Sequence, residues 1–296
     1  MCYAGWMRAN AEEMWRASFM EAFGDDVDEY DIVYKENVEG SYKWSTDVID
    51  NVKEAFGNPD EIKKAIDGCE VVISGYGPFT ADIMDASDEL KVIGISRGGP
   101  VNVDQKSATQ KGIYVLRAVG RNAESVADQT MGLLLSELRY IARHNKEIKS
   151  GEYFERLNDM GRSGYLGSFN WMEANEKTLG LIGYGQVGSR VAKRAKAFDI
   201  RVIVFDPYID QQILRNEGCE PIELDELLAE SDFVSIHCGL SPETRHMLNA
   251  KAFKKMKKTA ILMNTSRGSI IDGEDFYYRL KKGDIASAAL DVFEDD

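Results

Sequence analysis

"TLGLIGYGQVGSRVAKRAKAFDIRVIVFDPY", residues 178–208, decides the fold of this chain. An apolar run from Leu179 to Ile182 leads straight into Gly183-x-Gly185-x-x-Gly188. Beyond it Val187, Val191, Ala195 and Phe198 recur at helical spacing. The next apolar run, "VIVF" at 202–205, shows no polar alternation, which is the pattern of a strand covered on both faces. It ends at Asp206, eighteen residues past the last glycine.

Strand, glycine turn, helix, second strand and terminal acid, in that order, predict a dinucleotide-binding βαβ unit. The first glycine allows the tight turn, the second lets a pyrophosphate approach the backbone, and the third lets helix and strand pack closely. The helix N-terminus then offers unpaired N–H groups to the phosphates. Asp206 is expected to accept hydrogen bonds from the adenosine ribose, and its charge repels a 2′-phosphate. No Arg or Lys follows it directly, so NAD is expected rather than NADP. The competing reading is a glycine turn that serves packing alone.

Outward from this unit, short β-rich runs alternate with amphipathic stretches along almost the whole chain. "DIVY" (31–34), "CEVVIS" (69–74), "LKVIGIS" (90–96) and "GIYVLRA" (112–118) read as strands, with "NPDEIKKAI" and "VDQKSATQK" as helices between them. This predicts an α/β protein with two Rossmann- or flavodoxin-like domains and parallel sheets. One long helical pattern is expected from Asn122 to Ser150, followed by a Gly- and Asn-rich loop over 151–176. The domain change is placed near residue 120, giving units 1–120 and 121–296.

Composition excludes several classes. With 296 residues and 44% hydrophobic content, two domains fit the length. A net charge of −14 argues against a non-specific grip on nucleic acid or anionic lipid. No apolar run approaches the roughly 18 residues of a membrane span. The first residues lack the basic and apolar segments of a secretory signal. Four scattered cysteines (Cys2, Cys69, Cys219 and Cys238) suit free thiols in a reducing cytoplasm, and no metal-ligand spacing occurs among them and the three histidines.

Three later segments, "SIHCGLSPETRHMLN", "LMNTSRGSIIDGEDF" and "AALDVFE", resemble consecutive signatures of the D-isomer-specific 2-hydroxyacid dehydrogenases. "ISRGGPVNVD…GIYVL…GRNAESVAD" resembles that family's domain junction, so the likeness spans nearly the whole chain. The resemblance implies a substrate domain over 1–120, completed by a returning C-terminal segment, and an NAD domain over 121–296, with substrate in the cleft between them. It implies a homodimer and the interconversion of a D-2-hydroxy acid with its 2-keto acid. It assigns Arg267 to the substrate carboxylate and carbonyl oxygen, a role suited to a planar, permanently charged fork. It further implies backbone contacts to the pyrophosphate from Gln186 and Val187 beside Gly183, Gly185 and Gly188. Cys238, Thr265 and Ser266 would touch the dinucleotide, and Asp291 would bind the nicotinamide carboxamide. Gly98 and Gly99 match the loop whose N–H groups receive the substrate carboxylate, although Val101 departs from the family's usual acid or Asn. Trp6, Arg8, Tyr76 and Arg97 stand at strand exits expected to face the cleft, a mix that suggests a polar or extended acid, such as a sugar acid.

Removing a hydroxyl proton as hydride leaves calls for a base, and His suits that at neutral pH. The family's His lies in a "PH" motif beyond "LDVFE", paired with a carboxylate that matches Asp296 here, five residues after Asp291. His144 reads as a helix-face residue, His237 as a neighbour of the adenosine and His246 as an exposed helix start. Glu294 has the wrong spacing for the pair and is expected to be solvated. The sequence is therefore expected to be a piece of a longer dehydrogenase. The alternatives are a catalytically dead fragment and an NAD(H)-responsive binding protein like the C-terminal-binding-protein corepressors, which share the fold.

Overall fold

Between Thr178 and Ile182 every residue is buried, as a central strand covered on both faces requires. The computed structural model describes residues 2–5, 11–36, 40–43, 48–169 and 172–294. These divide into two compact units, Met1–Arg121 and Asn122–Asp296.

The first unit contains β1 (Cys2–Gly5), α1 (Ala11–Phe23), β2 (Val33–Glu36), α2 (Pro59–Ile66), β3 (Val71–Ser74), α3 (Ala81–Met84), β4 (Val92–Ile95), α4 (Gln105–Gln110) and β5 (Tyr114–Arg117). Its parallel sheet has the order β2-β1-β3-β4-β5. Local chemistry sets the helix starts. Asn58 caps α2 through Asp60 N, with Pro59 at the first helical position where its missing N–H costs nothing. Asp104 caps α4 through Ser107 N, and hydrogen bonds from Ser107 and Asn51 hold its carboxyl below the ordinary carboxylate range. Ile62, Ile66, Val72, Phe79, Ile83, Ile93 and Ile95 form the core between helices and sheet.

The second unit runs α5 (Ala123–Leu138), α6 (Ile141–Ser150), α7 (Glu152–Gly167), β6 (Thr178–Ile182), α8 (Gln186–Lys196), β7 (Arg201–Phe205), α9 (Gln211–Asn216), β8 (Glu220–Pro221), α10 (Leu224–Glu230), β9 (Phe233–Ile236), α11 (Ala250–Phe253), β10 (Ile261–Asn264), α12 (Gly273–Lys282) and β11 (Ser287–Leu290). All six strands are parallel in the order β11-β10-β9-β6-β7-β8. Strand order reverses between β6 and β9, which puts a topological switch point beside the glycine turn. One core lies on each face of this sheet, one including Leu134, Leu179, Leu181, Val191 and Phe233, the other Ile182, Ile203, Val234, Phe253 and Leu262.

Three local expectations are corrected. The single helix over 122–150 is two, broken at Tyr140, whose φ of 54° is left-handed. The 151–176 loop holds α7, kinked at Gly161. What orders α7 is non-local: Tyr165 donates to the buried Glu147 at 2.7 Å, Arg156 pairs with the same carboxylate, and Phe169 meets the His144 ring edge-on at 4.7 Å. Phe198, expected on the buried face of α8, lies past the helix end and is exposed, because the face closes with Val191, Ala192 and Ala195.

Candidate functional site

The carboxyl ends of five strands in the second unit carry nearly all of the polar residues singled out there. After β6 come Gly183 to Gly188, after β7 Asp206, after β9 Cys238, after β10 Thr265 to Arg267, and after β11 Asp291. Four of these strands, β11-β10-β9-β6, are consecutive neighbours, with β7 next.

The three glycines are there for three different reasons. Gly183 has φ 99°, and a Cβ on it would lie 2.7 Å from Cys238 N, so strand β9's exit passes directly against the turn. A Cβ on Gly188 would sit 2.3 Å from the Gly183 carbonyl oxygen, which locks α8 onto β6. Beside Gly185 no heavy atom of the described residues outside its chain neighbours lies within 4 Å of the Cβ position. This is the open approach to backbone that a pyrophosphate needs, and Gly185 is also the cap of α8 with no side chain covering the first N–H groups of Gln186 and Val187. The chain's own residues therefore fit a dinucleotide.

Asp206 is tied to the turn. Its Oδ2 accepts from Tyr184 N at 2.8 Å and its Oδ1 from Tyr208 N at 3.0 Å, which orients the carboxylate while leaving lone pairs on both oxygens. The Tyr184 side chain points back into the fold. Burial, then its hydrogen bond to Glu217 Oε2 at 2.7 Å, raises its pKa.

At β9, burial pushes the Cys238 thiol up to about 11, so it remains protonated, while its carbonyl accepts from Ser266 Oγ. Burial pushes His237 down to about 4, and its Nε2 lies 2.9 Å from Ser235 Oγ; this ring is neutral at physiological pH. After β10, Thr265 Oγ1 is 3.0 Å from Thr130 Oγ1 on α5. Asn264 shapes the turn from its buried side chain, accepting from Ser266 N at 3.0 Å and donating to Arg267 O at 2.9 Å. Arg267 projects outward, and among the described residues its guanidinium makes one hydrogen bond, to Ser266 O at 2.8 Å. A permanent cation with most of its fork open is suited to an anionic ligand.

The segment after β11 is clasped to this turn. Asp291 N donates to Asn264 O at 2.9 Å, and Ser269 Oγ to Glu294 O at 3.2 Å. Glu294 is not solvated as its spacing suggested: its Oε1 pairs with His246 Nε2 and its Oε2 accepts from Gly273 N at 3.1 Å. The His246 bond, foremost, keeps the Glu294 carboxyl below its ordinary range. His246 is likewise half-buried in a turn ahead of α11, with Asp272 3.9 Å from its Nδ1. Sequence spacing missed this pair because 48 residues separate its members. Asp296, Trp6 and Arg8 lie outside the described residues. Among the described residues no group of three or more His, Cys, Asp or Glu is arranged to hold a metal, and no helix is long and apolar enough to cross a membrane.

In the first unit Gly98 and Gly99 follow β4, and no heavy atom of the described residues lies within 4 Å of the place a Cβ would take at Gly98. Arg97 and Tyr76 stand together, the guanidinium 4.9 Å from the ring centroid. Glu54, which sequence reasoning did not single out, forms an ion pair with Arg97.

Residues 131–296 match the model of the "D-isomer specific 2-hydroxyacid dehydrogenase, NAD binding domain". Hydroxypyruvate reductase of Thermotoga maritima is 39% identical over 236 residues, covering 79% of this chain and 72% of that protein. D-3-phosphoglycerate dehydrogenase of Methanocaldococcus jannaschii is 38% identical over 239 residues; the match takes in 80% of this chain but only 44% of that protein. Among solved structures, the D-lactate dehydrogenase of Aquifex aeolicus, complexed with NAD and lactic acid, superposes with a TM-score of 0.71 at 27% identity, covering 99% of this chain and 77% of that one.

Proposed function

The chain belongs to the D-isomer specific 2-hydroxyacid dehydrogenase family, and on that footing we propose that it interconverts a D-2-hydroxy acid and its 2-keto acid with NAD. The observation that carries this reading is the row of strand ends in the second unit. There an open glycine turn, an oriented acid and an outward guanidinium share one edge of one sheet at its switch point.

NAD supplies the hydride-accepting and hydride-donating chemistry; the protein's part is to hold and polarise. Gly185, Gln186 and Val187 receive the pyrophosphate through backbone N–H groups, with Gly183 and Gly188 keeping the turn tight. Asp206 takes the ribose hydroxyls and disfavours a 2′-phosphate. Cys238, Thr265 and Ser266 line the dinucleotide, and Asp291 binds the carboxamide. In the first unit Gly98 and Gly99 are assigned to the substrate carboxylate through their N–H groups; in the second unit Arg267 is assigned to draw electron density from the 2-keto oxygen, favouring its conversion to the alcohol. Asp296 is assigned to the carboxylate that orients the family's proton-delivering histidine. His237 is unsuited to that role, being neutral and fixed on Ser235; His246 has both ring nitrogens facing carboxylates.

Exposed apolar side chains on α6 and α7 (Ile141, Ile148, Phe154 and Leu166) support the homodimer that the family likeness implies. Free thiols at Cys69, Cys219 and Cys238 suit the cytoplasm. The test is NADH oxidation against a panel of 2-keto acids, by this chain and by one extended through the family's C-terminal return segment. If both bind NADH and neither turns over any keto acid, the dehydrogenase reading fails. Light scattering reads the dimer directly.

A further inference from the structure

The side of the first unit next to Gly98 and Gly99 holds a built cluster in which Arg97 and Tyr76 are joined by Glu54, a residue with no role assigned so far. Residues 49–57 form a loop with three non-glycine residues in left-handed conformation: Asp50 at φ 51°, Asn51 at 64° and Glu54 at 48°. Such conformations persist only where surrounding contacts over-determine them. Here they do. Tyr42 donates to Asp50 Oδ2 at 2.7 Å, Asn51 Nδ2 to Asp104 Oδ2 at 3.1 Å, Lys53 N to Val101 O at 2.9 Å, and Phe56 N to Tyr76 O at 2.8 Å. Val52, at the loop's centre, is 1% exposed. The loop is thus stitched to the strand exit at Tyr76 and to the "GGPV" turn, and its strained Glu54 is aimed at Arg97.

Arg97 answers on two sides. Its Nη2 pairs with Glu54 Oε2, its Nη1 donates to Glu54 O at 3.2 Å, and its plane lies over the Tyr76 ring. Both charged side chains are 15% exposed, so the pair is shielded but still touched by solvent. A lone arginine in this place would attract a second anion. An arginine matched by a carboxylate gives a pair whose two charges offset one another, in which a guanidinium donor and a carboxylate acceptor stand side by side. A phosphate or second carboxylate there would meet Glu54 as well as Arg97. A hydroxyl can donate to the carboxylate and accept from the guanidinium at once.

We propose that the Glu54–Arg97 pair, with Tyr76 against it, reads the tail of the substrate and selects a neutral, hydroxyl-bearing 2-keto acid over a phosphorylated or dicarboxylic one. The inference rests on the dehydrogenase reading, since the carboxylate of the same molecule is taken to lie on Gly98 and Gly99. Hydroxypyruvate and 2-ketogluconate belong to the favoured class, and 3-phosphohydroxypyruvate to the disfavoured one.

The test compares kcat/KM for these three keto acids in the chain extended through the family's C-terminal return segment, taken as wild type, and in its Glu54→Gln and Arg97→Met variants. Binding of D-gluconate and 3-phosphoglycerate is measured by calorimetry with NAD present, and thermal melts check folding. The wild type is expected to favour the neutral tail at least tenfold. Glu54→Gln, which keeps shape and removes the counter-charge, should shift the ratio at least tenfold toward the phosphorylated substrate; Arg97→Met should lower kcat/KM for hydroxypyruvate and 2-ketogluconate. A wild type that prefers 3-phosphohydroxypyruvate, or a folded Glu54→Gln protein with an unchanged ratio, overturns the proposal and leaves the dehydrogenase reading standing. Absence of all turnover, with D-gluconate still bound more tightly than 3-phosphoglycerate in a Glu54-dependent way, overturns the dehydrogenase reading and keeps this one. Absence of both removes both.

Discussion

Replacing Gly188 or Gly185 by alanine adds the same methyl group three residues apart, and the structure predicts opposite outcomes. In Gly188→Ala the new Cβ lies 2.3 Å from the Gly183 carbonyl oxygen, about 1 Å inside ordinary contact, and the obstacle is backbone that cannot rotate away. Helix α8 must lift from β6, where Val191, Ala192 and Ala195 are fully buried. Overpacking of this kind costs about 1–3 kcal/mol, and for a unit the size of residues 122–296 that lowers Tm by roughly 2–12 °C. In Gly185→Ala the Cβ meets no heavy atom of the described residues within 4 Å, and the backbone, at φ −83° and ψ −152°, lies at the margin of the extended region. Its stability should stay within about 1 kcal/mol of the wild type, because a less flexible unfolded chain and the marginal ψ act in opposite directions. Its NADH affinity, however, should fall at least tenfold, about 1.4 kcal/mol, because the methyl fills the space where the pyrophosphate meets the turn. Thermal melts followed by circular dichroism and NADH fluorescence titration read the two effects separately. If Gly185→Ala melts as low as Gly188→Ala, or binds NADH within twofold of wild type, the assignment of the open face of this turn to phosphate is wrong.

Other outcomes follow from the same geometry. Asp206→Ala should weaken NADH binding roughly tenfold and narrow the preference over NADPH, read by paired titrations; a wild type that prefers NADPH would sink the role given to Asp206. Arg267→Lys keeps the charge but loses the fork, so kcat/KM should drop about a hundredfold (~2.7 kcal/mol), while the melt should stay within about ±0.5 kcal/mol because the side chain is exposed. His237 has a folded-state pKa of about 4 against an ordinary 6.5, so between those values the unfolded chain binds a proton that the folded one refuses. Stability should therefore rise with pH across that window, by at most about 1.4 kcal/mol per unit. Urea melts at pH 4.5, 5.5 and 7 should show this component in the wild type, and it should be missing in His237→Gln.

Much of the site was legible because its parts are local. The glycine turn, the strand before it and Asp206 lie within one βαβ unit, and the obstacle at Gly188, the Gly183 carbonyl, belongs to the same short stretch, whereas the one at Gly183 is Cys238 on the exit of β9. The "NTSRG" turn is similar: Asn264, Ser266 and Arg267 organise one another across three residues. Even helix starts such as Asn58-Pro59 and Asp104 declare themselves by a capping side chain and its neighbour.

What the sequence by itself determined is thus the α/β alternation, the parallel second sheet and the chemistry of its strand ends, all set by period, apolar run length and turn residues. Only the tertiary structure decided the pairs made across long separations. His246 with Glu294, Arg97 with Glu54, and Tyr165 with Glu147 each join residues whose spacing carries no signal. Glutamate in a sequence reads as solvated surface; it becomes a clasp or a selector only where other elements bring a cation or a donor to it and limit its access to water. For the same reason the 151–176 stretch, rich in glycine and polar residues, reads as loop. It is helical over much of its length because a buried carboxylate and edge-to-face rings hold α7 in place.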